Sequence, residues 1–253
     1  HIAEPGVLLE ETHAPLQSTM TRYPLAAVAI AITALGLCYG GVIASLMNVW
    51  STNFLYSYGF AVPVIAAYIA WTRAHESRTL NATPDYTFGV PVTLAGMAML
   101  VTGRLGAIIV LEQASLVVTL AGLVLLLFGS DVFKSQRFSI AYLLLMVPMW
   151  SYAIGQLQDP SRVLSTKIAV SLLHAVGVPA FRQATTILVP GHTFAVLQEC
   201  SGVNQLIALT AMVLPVAYLW LDTYARRVAL FVVAVVVGYL SNGVRIALVG
   251  WLA

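Results

Sequence analysis

Apolar runs of about twenty residues recur along this chain, separated by short polar breaks that hold most of its charge, and that pattern leaves few folds open. A helix needs about that length to cross hydrocarbon, where every backbone amide and carbonyl must find its partner within its own segment. A spanning barrel would show apolar residues in strict alternation, which these runs lack. With 60% hydrophobic and 9% charged residues, against about 25% charged in soluble domains, water cannot be the solvent for most of the surface. The expected fold class is an all-α polytopic membrane protein of about seven or eight transmembrane helices.

The runs place spans at residues 24–47, 58–71, 88–110, 114–128, 140–154, 203–221 and 228–253. The second is short and is expected to borrow residues 54–56. Arg104 lies inside the third, and Glu112 falls at the break that follows. Residues 155–201 are more polar and form the one sizeable extramembrane region. There, Ile168, Leu172, Leu173 and Val176 recur at helical spacing opposite Lys167 and Ser171, which predicts an amphipathic interfacial helix over 165–178. Two β-rich stretches follow, 185–189 and 193–197, with Pro190-Gly191-His192 as the hairpin turn between them. Residues 1–21 are a polar lead-in with no assigned function, and 22–253 form a single transmembrane domain. The last apolar run stops at Ala253 without a polar flank, so the natural chain is expected to continue.

Basic residues in short loops set orientation. With the N-terminus inside, Arg22, Arg73, Arg78, Lys134, Arg137, Arg226 and Arg227 all fall on the cytoplasmic side, and residues 155–201 lie outside. A net charge of +2, with no basic cluster interleaved with aromatics, excludes nucleic acid as a partner. Cys38 lies deep in the first run and Cys200 at the edge of a later one, so no disulfide framework is expected. No cofactor and no metal site is expected.

Two places carry candidate chemistry. In Glu199-Cys200-Ser201-Gly202 the thiol sits just before a helix, where unpaired N–H groups and the helix dipole favour a thiolate. Gly202 adds freedom for close approach of a substrate carbonyl. Asn242 and Arg245 are one turn apart in the final run and share a helix face. An arginine inside a span is costly and marks a function by default; a rise of roughly 25 Å from residue 228 brings it to the outer boundary, in the same water layer as Cys200. The bland readings are a cysteine used as a small hydrophobe and an arginine snorkelling to the interface. His192, Glu199, Ser201 and Gly202 are supporting candidates, although a histidine at such a turn is more often a solvated residue and capping the helix is the blander role for Glu199.

These residues resemble the exosortase/archaeosortase family of membrane cysteine transpeptidases. Tyr56-Ser57-Tyr58-Gly59, Val62-Pro63 and Trp71-Thr72-Arg73 are similar to its first loop and second span; Gly177-Val178-Pro179 through Cys200-Ser201-Gly202 to its approach to the nucleophile; and Asn242-Gly243-Val244-Arg245 to its Asn-x-x-Arg helix. Tyr58 departs from the family's usual histidine, and the family's third catalytic residue, a His or Arg on a later span, has no counterpart up to Ala253. The resemblance implies Cys200 as nucleophile, Arg245 as oxyanion or thiolate stabiliser, and Asn242 in support. It also implies a bacterial inner-membrane location, partners that include membrane lipid, and exported substrates with a C-terminal sorting signal of motif, spanning helix and basic tail. A new carboxyl terminus would pass to an acceptor whose identity stays open. Two other classes compete: a non-catalytic binder of sorting-signal helices, and a small-molecule transporter using Arg245 and Asn242.

Overall fold

A computed structural model of the protein describes residues 25–76, 83–197 and 200–252. The lead-in 1–21, together with Glu199, lies outside them. The elements are α1 (Leu25–Thr52), a 3-10 segment (Phe54–Phe60) running into α2 (Ala61–Glu76), α3 (Tyr86–Leu105), α4 (Ile109–Tyr142), α5 (Ser151–Ala175), β1 (Phe181–Gln183), β2 (Thr186–Val189), β3 (His192–Ala195), α6 (Val203–Trp220) and α7 (Tyr224–Leu252). Among the described residues six helices are long and apolar enough to span a membrane. Only 11% of the most apolar window of α1 is buried, so its flanks suit lipid and not water.

Small residues set the tightest contact in the bundle. Gly89, Gly96 and Gly103 recur every two turns on α3 and face α4: a Cβ on Gly89 would come within 2.6 Å of the Leu126 nitrogen, and one on Gly103 within 2.8 Å of the Glu112 nitrogen. With no side chain between them the backbones close up, as membrane helices must when the hydrophobic effect is absent between them. Asp85 caps α3 by accepting from the Thr87 and Phe88 N–H groups. At the other end, Arg104 pairs with Glu112 at 3.0 Å across the turn and donates to the Cys38 carbonyl of α1 at 2.8 Å.

Gly129 breaks α4 with φ 87° and ψ 177°, and any Cβ there would collide with the Thr83 carbonyl oxygen. The first leg runs from Gln113, which donates to Ser45 of α1, down to Leu125, whose carbonyl accepts from the Asp85 N–H. The second leg returns: Gln136 donates to the Ala70 carbonyl of α2, Tyr142 to that of Ala211 in α6, and the Trp50 indole at the end of α1 donates to the Met146 carbonyl at 3.0 Å. One long helix therefore supplies two passes, and the described residues traverse the bundle seven times. The span expected at 140–154 is corrected accordingly. The return pass starts just after Gly129, because the left-handed glycine turns the chain there, and residues 143–146 end it in a 3-10 turn.

Three strands stand where a hairpin is expected. β2 and β3 pair antiparallel with Val189 opposite His192 across Pro190-Gly191, and β1 adds a third strand, Phe181 opposite Leu188. Proline presets the first turn residue and Gly191 takes φ 86° at the second. Ile187 is fully buried under α5, and a Cβ on Gly250 of α7 would touch Phe194 of β3 at 2.7 Å, so the sheet caps the end of α7. The amphipathic helix begins earlier than expected, at Ser151. Its inward face, Ser161, Ser165, Ala169 and Leu173, packs along residues 239–250 of α7 in the same direction.

Candidate active site

Cys200 lies on the short connection between β3 and α6, its N–H donating to the Leu197 carbonyl at 3.0 Å. The side chain is partly buried against the cluster of Ala169, Leu173, Ile187 and Ile246 that joins α5, the sheet and α7. Both Cys200 and Cys38 are free thiols. Ser201 is fully buried, and Gly202 caps α6 in the left-handed conformation, φ 85° and ψ −11°. A β-carbon at Gly202 would sit 3.0 Å from Asn242 Nδ2 with a backbone angle that L side chains rarely adopt, so glycine is required on both counts.

Asn242 is 2% exposed at the centre of the junction. Its amide nitrogen donates twice, to the Cys200 carbonyl at 2.9 Å and to Ser165 Oγ at 3.0 Å. Ser165 passes its own proton on to the Ser201 carbonyl at 2.9 Å. Three segments far apart in the chain thus meet through one buried network: α5 by Ser165, the thiol-bearing connection by its carbonyls, and α7 by Asn242. Such a group is stable only when every member is satisfied, which fixes the relative register of the three.

Arg245, one turn beyond Asn242, is exposed and has no hydrogen-bond or ion-pair partner among the described residues. It lines a cavity of about 370 Å³ together with Gly202, Asn242, Asn204 and Gln205 of α6 and Ser57 and Tyr58 of the 3-10 segment. Gln205 is tied to Ser241 at 3.0 Å, whereas Asn204 Oδ1 is buried with no partner among the described residues. A guanidinium that has no partner among the described residues and lines this cavity is available to a substrate oxyanion or carboxylate.

Of the residues singled out in the sequence, Ser201, Gly202, Asn242 and Arg245 meet at this junction with the backbone of Cys200. His192 does not join them: it is exposed at the start of β3, opposite Val189, and no hydrogen bond links it to Cys200 among the described residues. It belongs to the strand and not to the turn, because the turn needs only two residues. His174 holds the loop after α5 through a 2.7 Å contact between Nε2 and the Ala180 carbonyl. Sequence reasoning missed Ser165, Asn204 and Gln205. Their only signal was polarity: a serine in the buried register of an amphipathic helix, and a polar pair in the first turn of a span.

A family model of the transmembrane exosortases matches residues 50–253. No curated protein and no solved structure matches the chain.

Proposed function

Since the chain belongs to the transmembrane exosortase family, we propose that it is a cysteine transpeptidase that cleaves C-terminal sorting signals of the PEP-CTERM type from exported proteins and transfers them to an acceptor. The observation that carries the reading is the bond from Asn242 to the Cys200 carbonyl, which ties the thiol segment to the helix that bears Arg245. The Cys200 thiolate attacks the scissile carbonyl carbon, a C–S bond forms, and the carbonyl electrons move to oxygen. Collapse of that oxyanion breaks the C–N bond, leaving a thioester and an amine that takes up a proton as it departs. An acceptor nucleophile then attacks the thioester and regenerates the thiol. Arg245 stabilises the thiolate and the oxyanion, and its permanent charge suits it to this and not to proton transfer.

The reaction is assigned to the extracytoplasmic face of the bacterial inner membrane. In support, Arg73, Lys134, Arg137, Arg226 and Arg227 gather near the opposite ends of α2, the return leg of α4 and α7. The substrate's spanning helix is assigned to the apolar groove between α5 and α7, lined by Leu172, Val176, Val244, Leu248 and Trp251.

The test is Cys200→Ala in cells that co-express an exported protein with a C-terminal sorting signal. The variant inserts and purifies as the parent does but leaves the signal uncut; intact processing would eliminate the thioester route. A membrane-impermeant maleimide applied to intact cells, in a Cys38→Ala background, labels Cys200 if the thiol faces outward, and labelling only after lysis reverses the orientation.

A further inference from the structure

Peptide groups are planar and trans, so a carbonyl and the N–H that follows it point in opposite directions, and among the described residues no peptide bond is cis. The Ser201 carbonyl is held by Ser165 Oγ at 2.9 Å. The Gly202 N–H is therefore turned away from α5. The cavity that Gly202 lines with Asn242 and Arg245 has no α5 residue in its wall. Gly202 N–H has no acceptor among the described residues. Resting on the transpeptidase reading above, we propose that Ser165 is a positioning residue: by clamping the Ser201 carbonyl it orients the Ser201–Gly202 peptide so that the Gly202 N–H is presented, beside Arg245, as a donor to the oxyanion.

A clamp is needed because of the glycine itself. Turning the Ser201–Gly202 peptide over exchanges the directions of the Ser201 carbonyl and the Gly202 N–H, and the change falls on the ψ of Ser201 and the φ of Gly202. Glycine accepts positive and negative φ almost equally, so the backbone alone sets little preference between the two states. Ser165 and Asn242 supply it. The Asn242 amide donates both its hydrogens, one to the Cys200 carbonyl and one to Ser165 Oγ, which leaves the single Ser165 proton directed at the Ser201 carbonyl. Ser165 is fully buried, so no water competes for that role.

Two reagents separate this role from thiol activation. p-Nitrophenyl acetate acylates a thiolate through an oxyanion: the C–S bond forms, the carbonyl electrons move to oxygen, and p-nitrophenolate is expelled. Iodoacetamide alkylates the same thiolate by displacing iodide and forms no oxyanion. In a Cys38→Ala background of the full chain in detergent, Ser165→Ala slows acylation of Cys200 by about tenfold to a hundredfold. Its alkylation stays within about twofold, and Ser165→Thr, which keeps the hydroxyl, restores acylation. Ser165→Cys, which keeps the size of the side chain but offers only a weak S–H donor, must give the same split, and it serves if Ser165→Ala does not fold. Acylation and alkylation falling together, neither falling, or Ser165→Thr remaining as slow as Ser165→Ala would overturn the assignment. Failure of the transpeptidase reading looks different: the parent thiol would then alkylate no faster near neutral pH than an ordinary cysteine.

Discussion

The α3–α4 hairpin and the α5–α6–α7 junction solve the same problem by opposite means. In the hairpin, Gly89, Gly96 and Gly103 remove side chains so that two backbones touch, and between its polar ends, where Arg104 pairs with Glu112 and the Asp85 N–H reaches the Leu125 carbonyl, the contact is packing. At the junction the helices are joined by donors and acceptors from Asn242, Ser165, Cys200 and Ser201, all in one buried chain. Glycine packing fixes distance but offers nothing to a substrate. A polar network fixes direction as well, and direction is what a reacting carbonyl requires. The lesson is that stability and chemistry are held by different regions, so that substitutions in each should move different observables.

Arg245→Ala tests this most severely. Because the guanidinium has no partner among the described residues, its loss should slow acylation of Cys200 by roughly a hundredfold or more while the midpoint of thermal unfolding in detergent stays put. A large drop in that midpoint would show that the junction is structural after all. Gly129→Val is the mirror case: a left-handed position and a collision with the Thr83 carbonyl should cost about 3 kcal/mol in unfolding, with the acylation rate per folded molecule unchanged. Tyr39→Phe removes a 2.6 Å bond to Thr119 in the buried seam of α1 and α4 and should cost about 1 kcal/mol by the same melt. Glu112→Gln should be the mildest, under about 1 kcal/mol, since its arginine partner is 50% exposed and keeps its bond to the Cys38 carbonyl. An order of effects that mixes the two regions, with Tyr39→Phe slowing acylation for example, would couple them.

Much of the architecture was legible. The apolar runs placed α1, α3, α6 and α7 to within a few residues, and the short second run does borrow the 3-10 segment before it. Length and hydropathy are local properties, so a window of sequence contains them. The return leg of α4 was displaced because its start is set by one glycine at positive φ, packed against the Thr83 carbonyl in the connection that precedes α3. The third strand was missed because Phe181–Gln183 is short and exposed and shows no alternation. Glu199 lies outside the described residues, and His192, plausible by its distance along the chain, belongs to a strand edge away from the network.

By itself, then, the sequence determined that this chain lives in a membrane, that its passes are helical, and that a thiol and a guanidinium stand at the ends of two spans. Those conclusions follow from how many apolar residues adjoin one another and from where an expensive charge is tolerated. Only the tertiary structure decided that Asn242 reaches across 42 residues to the Cys200 carbonyl and 77 to Ser165, and that Tyr58 and Arg245 face one cavity. Hydrogen-bond partners depend on the register between packed helices, and register is settled by which side chains fit face to face, information that no single stretch of the chain contains.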